Sequence, residues 1–198
     1  TIWEFQKLEP RVSAIGSPER MGKGHGIQQA VALAQGQIIG FADADNKVPI
    51  TELDRVLPLL MNGTTDMVIG SRALKKSIIH RKQPLYRQIG SRGFRWAMKL
   101  VTGLWDVNDT QCGFKMLNAK AAEAVASRMV VDRFGFDFEL IAIAHKLGFK
   151  IKQMPVRWMN EEGSTVSLTG KNGFIQVLID LFKTRLRFWG GRYHIGQY

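Results

Sequence analysis

Two carboxylates two positions apart, Asp43 and Asp45, follow directly on the apolar run Gln37 to Ala42. Such a run reads as a buried parallel strand, and in an open parallel sheet ligands bind beyond the carboxyl ends of the strands. Residues i and i+2 of an extended segment project to the same side. Asp43 and Asp45 could therefore share a hard divalent cation, directly or through water, and that cation could clamp a pyrophosphate and neutralise a leaving diphosphate. The same side chains could instead cap the helix that Pro49 opens, accepting its free N–H groups. Asp-x-Asp alone fits both; its place after Ile38-Ile39-Gly40-Phe41 favours the cation.

Gly22-Lys23-Gly24-His25-Gly26 reads as a flexible turn before a helix, with Lys23 able to set a charge near a diphosphate. It lacks the spacing of a P-loop or a dinucleotide fingerprint. The single cysteine, Cys112, has no histidine close in sequence and reads as packed. His25, His80, His145 and His194 are scattered, without metal-ligand spacing.

Charge narrows the partners. Twenty-eight Lys and Arg against 17 Asp and Glu leave a net +11 over 198 residues, which favours anionic partners. Nine basic residues and no acidic one lie between Arg72 and Lys99, and Lys171, Lys183, Arg185, Arg187 and Arg192 cluster near the C-terminus. Segregation of this kind suits anion recognition. The 45% hydrophobic content supports a core and excludes disorder. One cysteine excludes a disulfide framework, and no run of apolar residues is long enough to span a membrane. The first residue is Thr1, so the chain reads as a piece of something longer.

The elements that must position these groups alternate. Strands are expected at Arg11 to Ile15, Gln37 to Ala42 and Asp66 to Gly70, with helices at Ile27 to Ala34 and after Pro49. That order describes an α/β domain, a mostly parallel sheet wrapped by helices. Further on, helices are expected at Leu85 to Val101, Ala119 to Ser127, Phe138 to Lys146 and Asn172 to Phe188, and extended segments at Gly113 to Leu117, Phe149 to Gln153 and Val156 to Met159.

Taken in order, Gly22-Lys23-Gly24, Phe41-Ala42-Asp43-Ala44-Asp45, Pro49, Ile69-Gly70-Ser71-Arg72, Arg87 to Ser91, Asp109-Thr110-Gln111-Cys112-Gly113-Phe114-Lys115, Phe136-Asp137-Phe138-Glu139 and Pro155-Val156-Arg157-Trp158 resemble family-two glycosyltransferases of the GT-A (Rossmann-like) fold. They look most like the branch of dolichyl- and polyprenyl-phosphate mannose or glucose synthases, over roughly residues 11 to 192. The resemblance implies an inverting transfer of a hexose from a nucleotide-diphosphate sugar to a polyprenyl (dolichyl or undecaprenyl) phosphate. It implies Mg2+ or Mn2+ on Asp43 and Asp45, with Lys23 beside the cofactor. Arg72, Arg87 and Ser91 match positions that meet phosphates or the acceptor, and Gln111 lies in a motif near the sugar, which makes Asp45, Arg72 and Gln111 the expected catalytic set. Asp137 and Glu139 lie in a further motif. A phosphate acceptor is already anionic, so positioning and charge neutralisation suffice without a strong base.

Two departures stand out. The strands that cradle the nucleobase in the family are absent, so residues 1–170 read as an N-terminally truncated GT-A domain, completed by another segment or chain, and residues 171–198 as an amphipathic helix and tail. Glu162-Gly163-Ser164-Thr165 has threonine where relatives often have lysine. From Asn172 to Arg192, large apolar residues alternate with cations, which suits either a helix in a membrane interface or one packed on the core; Ile78-Ile79 could also dip into lipid. The expected location is peripheral, on the cytoplasmic face of the ER or bacterial inner membrane. Two rivals remain: a non-catalytic scaffold of the same fold, and a basic nucleic-acid-binding module, for which no motif speaks, so no nucleic acid is expected as partner.

Overall fold

The computed structural model describes residues 4, 7, 9, 11–16, 19–79, 85–159 and 174–193, and only the backbone of 85–91 and 174–175. Six helices and six strands lie within them: α1 Lys23–Leu33, β1 Ile38–Ala42, a 3-10 turn Ile50–Glu52, α2 Leu53–Met61, β2 Met67–Ser71, β3 Ile78–Ile79, α3 Leu85–Thr102, β4 Phe114–Asn118, α4 Ala119–Ala126, α5 Phe136–Lys146, β5 Ile151–Pro155, β6 Arg157–Trp158 and α6 Phe174–Trp189.

Four strands form one sheet in the order β1-β4-β2-β5, and β3 pairs with β6 in a small second one. The α/β class holds, and the pairing is mixed: β4 runs antiparallel to both β1 and β2, while β2 and β5 are parallel. The sheet expected as mostly parallel has its parallel strands β1 and β2 separated by β4, which enters from the opposite direction. Arg11 to Ile15, expected as a strand, lies outside both sheets. The turn expected at Gly22 to Gly26 is already helix from Lys23.

The sheet divides two apolar layers, and strand alternation assigns each residue to one of them. Met67 and Ile69 of β2 face the larger layer, built with α3, α4, α5 and α6; Val68 faces the smaller one, built with Val48, Val56 and Leu60 around α2. Every residue of β2 is buried, as a strand covered on both faces requires. In β4, Phe114 and Met116 enter the smaller layer, which leaves Lys115 and Leu117 pointing at the larger one.

Candidate active site

The carboxyl ends of β1, β2 and β5 and the amino end of β4 meet at one rim, since Ala42 pairs with Phe114 and Ser71 with Pro155. Asp43 leaves β1 there, and Arg72 leaves β2. The intervening segment, residues 109–113, runs along the rim into β4 and connects the two.

Asp43 is fixed from three sides. Its N–H donates to the Gly113 carbonyl at 2.9 Å, its carboxylate lies where a Cβ on Gly113 would stand, and the Lys23 ammonium pairs with it. Lys23 reaches it because α1 starts in close contact with residues 131–132. Gly22 has φ of 118°, and a Cβ on Gly24 would overlap the Val131 carbonyl. Only glycine permits that approach. Residues 43–46 then turn, Asn46 N–H donating to the Asp43 carbonyl at 3.2 Å with Asn46 at φ of 50°, a conformation asparagine tolerates.

Asp45 is held by Lys47, through a backbone bond of 3.3 Å and an ion pair of 2.7 Å. Burial tends to raise its pKa, but the bonds from Lys47, with help from the Lys23 charge, hold it below the ordinary carboxylate range. The helix-cap alternative is not realised: Pro49 precedes the 3-10 turn Ile50–Glu52, which has no side-chain cap. Both carboxylates remain partly open, with side-chain exposures of 39% for Asp43 and 44% for Asp45.

Beneath Asp43 lies a second ion pair. Lys115, fully buried, donates to Asp137 of α5 and, at 2.7 Å, to the Cys112 carbonyl. Lys115 and Lys23 stand 5.3 Å and 5.9 Å from the Phe41 ring centroid, so two ammonium groups, each paired with a carboxylate, share one aromatic ring. Burial pushes the Asp137 carboxyl above the usual carboxylate range, with Lys115 and Lys23 pulling against it.

Arg72 is locked at the other end of the rim. Its Nε and Nη2 make a bidentate pair with Asp109 at 2.7 Å and 2.9 Å, its backbone N–H adds a third bond at 3.0 Å, and its guanidinium lies 5.5 Å over Trp158. Burial would lower its pKa, but the Asp109 charge and bonds raise it, so it stays cationic. Gln111 N–H also donates to Asp109, at 3.2 Å, which brings Arg72 and Gln111 together. Gln111 Nε2 is buried without a hydrogen-bond partner among the described residues. Cys112 is buried and its thiol is pushed up to about 11, chiefly by burial, as a packed and unreactive side chain should be. Arg87 and Ser91 fall on α3, but their side chains lie outside the described residues, as does all of Glu162 to Thr165.

Residues 2–125 match the description Glycosyl transferase family 2. The chain belongs to that family. Relatives of this family 2 chain include a dolichyl-phosphate beta-glucosyltransferase of Trichomonas vaginalis, ALG5D, 30% identical over 95% of this chain and 59% of the relative. The dolichyl-phosphate beta-glucosyltransferase of Mus musculus is 33% identical over 94% of this chain and 58% of its own. Among solved structures, glucosyl-3-phosphoglycerate synthase of Mycobacterium tuberculosis in complex with uridine diphosphate aligns with a TM-score of 0.55 at 17% identity, covering 97% of this chain and 60% of that one. These matches bear out the GT-A fold and the resemblance to the dolichyl-phosphate branch. The chain spans less than two thirds of the length of these relatives.

The rim of this family 2 chain suits a hard divalent cation. Asp43 and Asp45 offer carboxylate oxygens that are partly open to water. Among the described residues no group of three or more His, Cys, Asp or Glu gathers to enclose a metal. Mg2+ fits such a site because it keeps waters and takes substrate phosphates as its other ligands.

Sequence reasoning passed over Lys115 and Asp109 as site members. A lysine inside the apolar run Phe114-Lys115-Met116-Leu117 was a legible signal, since a buried ammonium requires a partner. Asp109 stood in a family motif, but its pairing with Arg72 was not legible, because that partner lies 37 positions away. The contact between Gly113 and Asp43 is testable. Gly113→Ala should displace the Asp43 carboxylate and lower the turnover of the intact protein by about 100-fold, with its thermal midpoint little changed; an unaltered rate would show that Asp43 need not sit against Gly113.

Proposed function

We propose that the intact protein transfers a hexose, with inversion at the anomeric carbon, from a nucleotide-diphosphate sugar to a polyprenyl phosphate. The observation that carries this reading is the convergence of Asp43, Asp45 and Lys23 with the Arg72–Asp109–Gln111 cluster on one rim of a family 2 sheet. The names of the curated relatives support dolichyl phosphate as acceptor. A solved neighbour in complex with Mn2+ and uridine-diphosphate-glucose supports a divalent cation and a nucleotide-sugar donor.

In this reading Asp43 and Asp45 hold Mg2+ or Mn2+, which when bound neutralises the donor diphosphate. Lys23 adds positive charge at the same place. Gln111 Nε2, a buried donor that costs about 1–3 kcal/mol while unpaired, meets a hydroxyl or phosphate oxygen of the donor. Arg72, pinned by Asp109 and Trp158, presents a fixed cation to the acceptor phosphate, assisted by Arg87 and Ser91. An oxygen of that phosphate forms the new bond to the anomeric carbon as the bond to the nucleotide diphosphate breaks. The acceptor is already anionic, so no proton need be removed.

In this reading residues 1–170 are the partial GT-A domain, completed by another segment or chain, and residues 171–198 an amphipathic C-terminal helix and tail. The protein works peripherally, on the cytoplasmic face of the ER or bacterial inner membrane. Among the described residues no helix is long and apolar enough to cross a bilayer. One face of α6 packs inward, with Leu181 and Thr184 buried, while Ile179, Phe182, Leu186 and Trp189 are exposed in a row; Ile78 and Ile79 are exposed as well.

Calorimetric titration of the intact protein with UDP- and GDP-sugars, with and without Mn2+, followed by incubation with a polyprenyl phosphate, tests this. Metal-dependent heat and a polyprenyl-linked hexose of inverted anomeric configuration are expected. No heat under either condition and no product would leave a non-catalytic scaffold.

A further inference from the structure

We propose that the hollow between the second half of α3 and residues 105–108 is a docking site for the headgroups of an anionic phospholipid bilayer. Arg92, Arg95, Trp96 and Lys99 line it together with Trp105 and Asn108, enclosing about 240 Å3. On α3 these positions are i, i+3, i+4 and i+7, a single face of a helix. The opposite face carries Phe94, Met98 and Thr102, all buried in the core. The hollow is therefore the side of α3 that the described residues leave uncovered.

Its chemistry is that of a bilayer interface. Trp96 and Trp105 are 64% and 52% exposed and stand edge to face, ring centroids 6.4 Å apart. Two large amphipathic rings in water, with no core residue over them, match the side chains that settle at headgroup depth. Leu100, 63% exposed, extends the apolar surface by one helical position. Among the described residues three cations line the hollow and no carboxylate does. Among the described residues Lys99 bonds to the neutral Asn108 oxygen, at 3.4 Å.

The neighbouring helix favours lipid over a nucleic acid. Arg185 of α6 donates to the Val101 carbonyl at 3.0 Å and lies 4.8 Å over the Trp189 ring. That contact sets Trp189, at the end of the exposed row on α6, beside the same end of α3. Apolar side chains fringed by cations suit a surface with an acyl layer beneath its phosphates. A nucleic-acid strand offers no such layer.

The inference rests on the reading that the acceptor is carried in a membrane. The intact protein is floated with vesicles of phosphatidylcholine alone and of phosphatidylcholine mixed with phosphatidylglycerol. Each cation near an anionic surface contributes a factor of about five, so Arg92→Gln/Arg95→Gln/Lys99→Gln should bind the mixed vesicles about 100-fold more weakly and the neutral ones unchanged. Trp96→Ala/Trp105→Ala should weaken binding to both. Transfer to a short, water-soluble isoprenyl phosphate should match wild type in both variants. Wild-type binding of mixed vesicles by the triple variant overturns the proposal. Tighter binding of wild type to a single-stranded oligonucleotide than to mixed vesicles overturns it too, and assigns the face to nucleic acid. Absence of transfer by the wild-type protein would sink the enzymatic reading alone and leave the vesicle comparison valid.

Discussion

Asp45→Ala should lower kcat/KM for sugar transfer by about 1000-fold, the loss of roughly 4 kcal/mol of charge stabilisation at the departing diphosphate. The effect follows from position. Asp45 stands past the end of β1, open to solvent and held below the ordinary carboxylate range, so it is ionised at any pH where the protein works. Its present partner, Lys47, contributes little, because a pair this exposed is worth at most about 1 kcal/mol. Lys47→Ala is therefore the control, expected within about threefold of wild type. Rates are measured over a Mn2+ series; in Asp45→Ala the residual activity should need more metal. A near-normal rate and an unshifted metal dependence would remove Asp45 from the cation site.

Lys115→Met should destabilise the protein by about 4 kcal/mol, because it leaves the Asp137 carboxylate buried without its counter-charge. Asp137 is 4% exposed and Lys115 wholly buried, so water cannot replace the lost ammonium. Burial already raises the Asp137 pKa, and losing Lys115 raises it further. A carboxyl whose folded pKa lies above its unfolded value stabilises the fold below the unfolded pKa, and that stability is lost as pH rises through the folded one. The deficit of Lys115→Met against wild type should thus widen between about pH 4 and pH 7. Lys115→Met/Asp137→Leu should recover most of the loss. Urea midpoints of the three proteins across that range decide it; a deficit independent of pH would mean that Asp137 is not the group left stranded.

Local signals were legible along the chain. Gln37 to Ala42 announced β1 within one residue, and the helix expected after Pro49 is α2, which buries Val56 and Leu60. The ordered motifs named the family, and the fold brings Lys23, Asp43, Arg72, Asp109 and Gln111 from them to one rim. What the chain order hid was direction. Nothing between Asp109 and Asn118 tells whether β4 runs with its neighbours or against them, since an apolar run is buried either way. The start of α1 was hidden for a different reason. Glycines at 22, 24 and 26 favour a turn by local preference, and the helix there depends on contact with residues 131–132, over 100 positions away. Pairings such as Arg72 with Asp109 and Lys115 with Asp137 are tertiary events, and no local preference encodes them.

Strand β4 carries a burden that its neighbours do not. Phe114 and Met116 enter one apolar layer while Lys115 and Leu117 enter the other. A slip of the strand by a single residue would exchange the two sets. It would drive an ammonium in among Val56, Leu60 and Val68, strand Asp137, and carry Gly113 away from Asp43. The length of the stretch between Asp109 and Phe114 is for that reason the least negotiable dimension of the molecule: substitutions there trade one side chain at a time, whereas losing or gaining one residue would dismantle the rim and the core together.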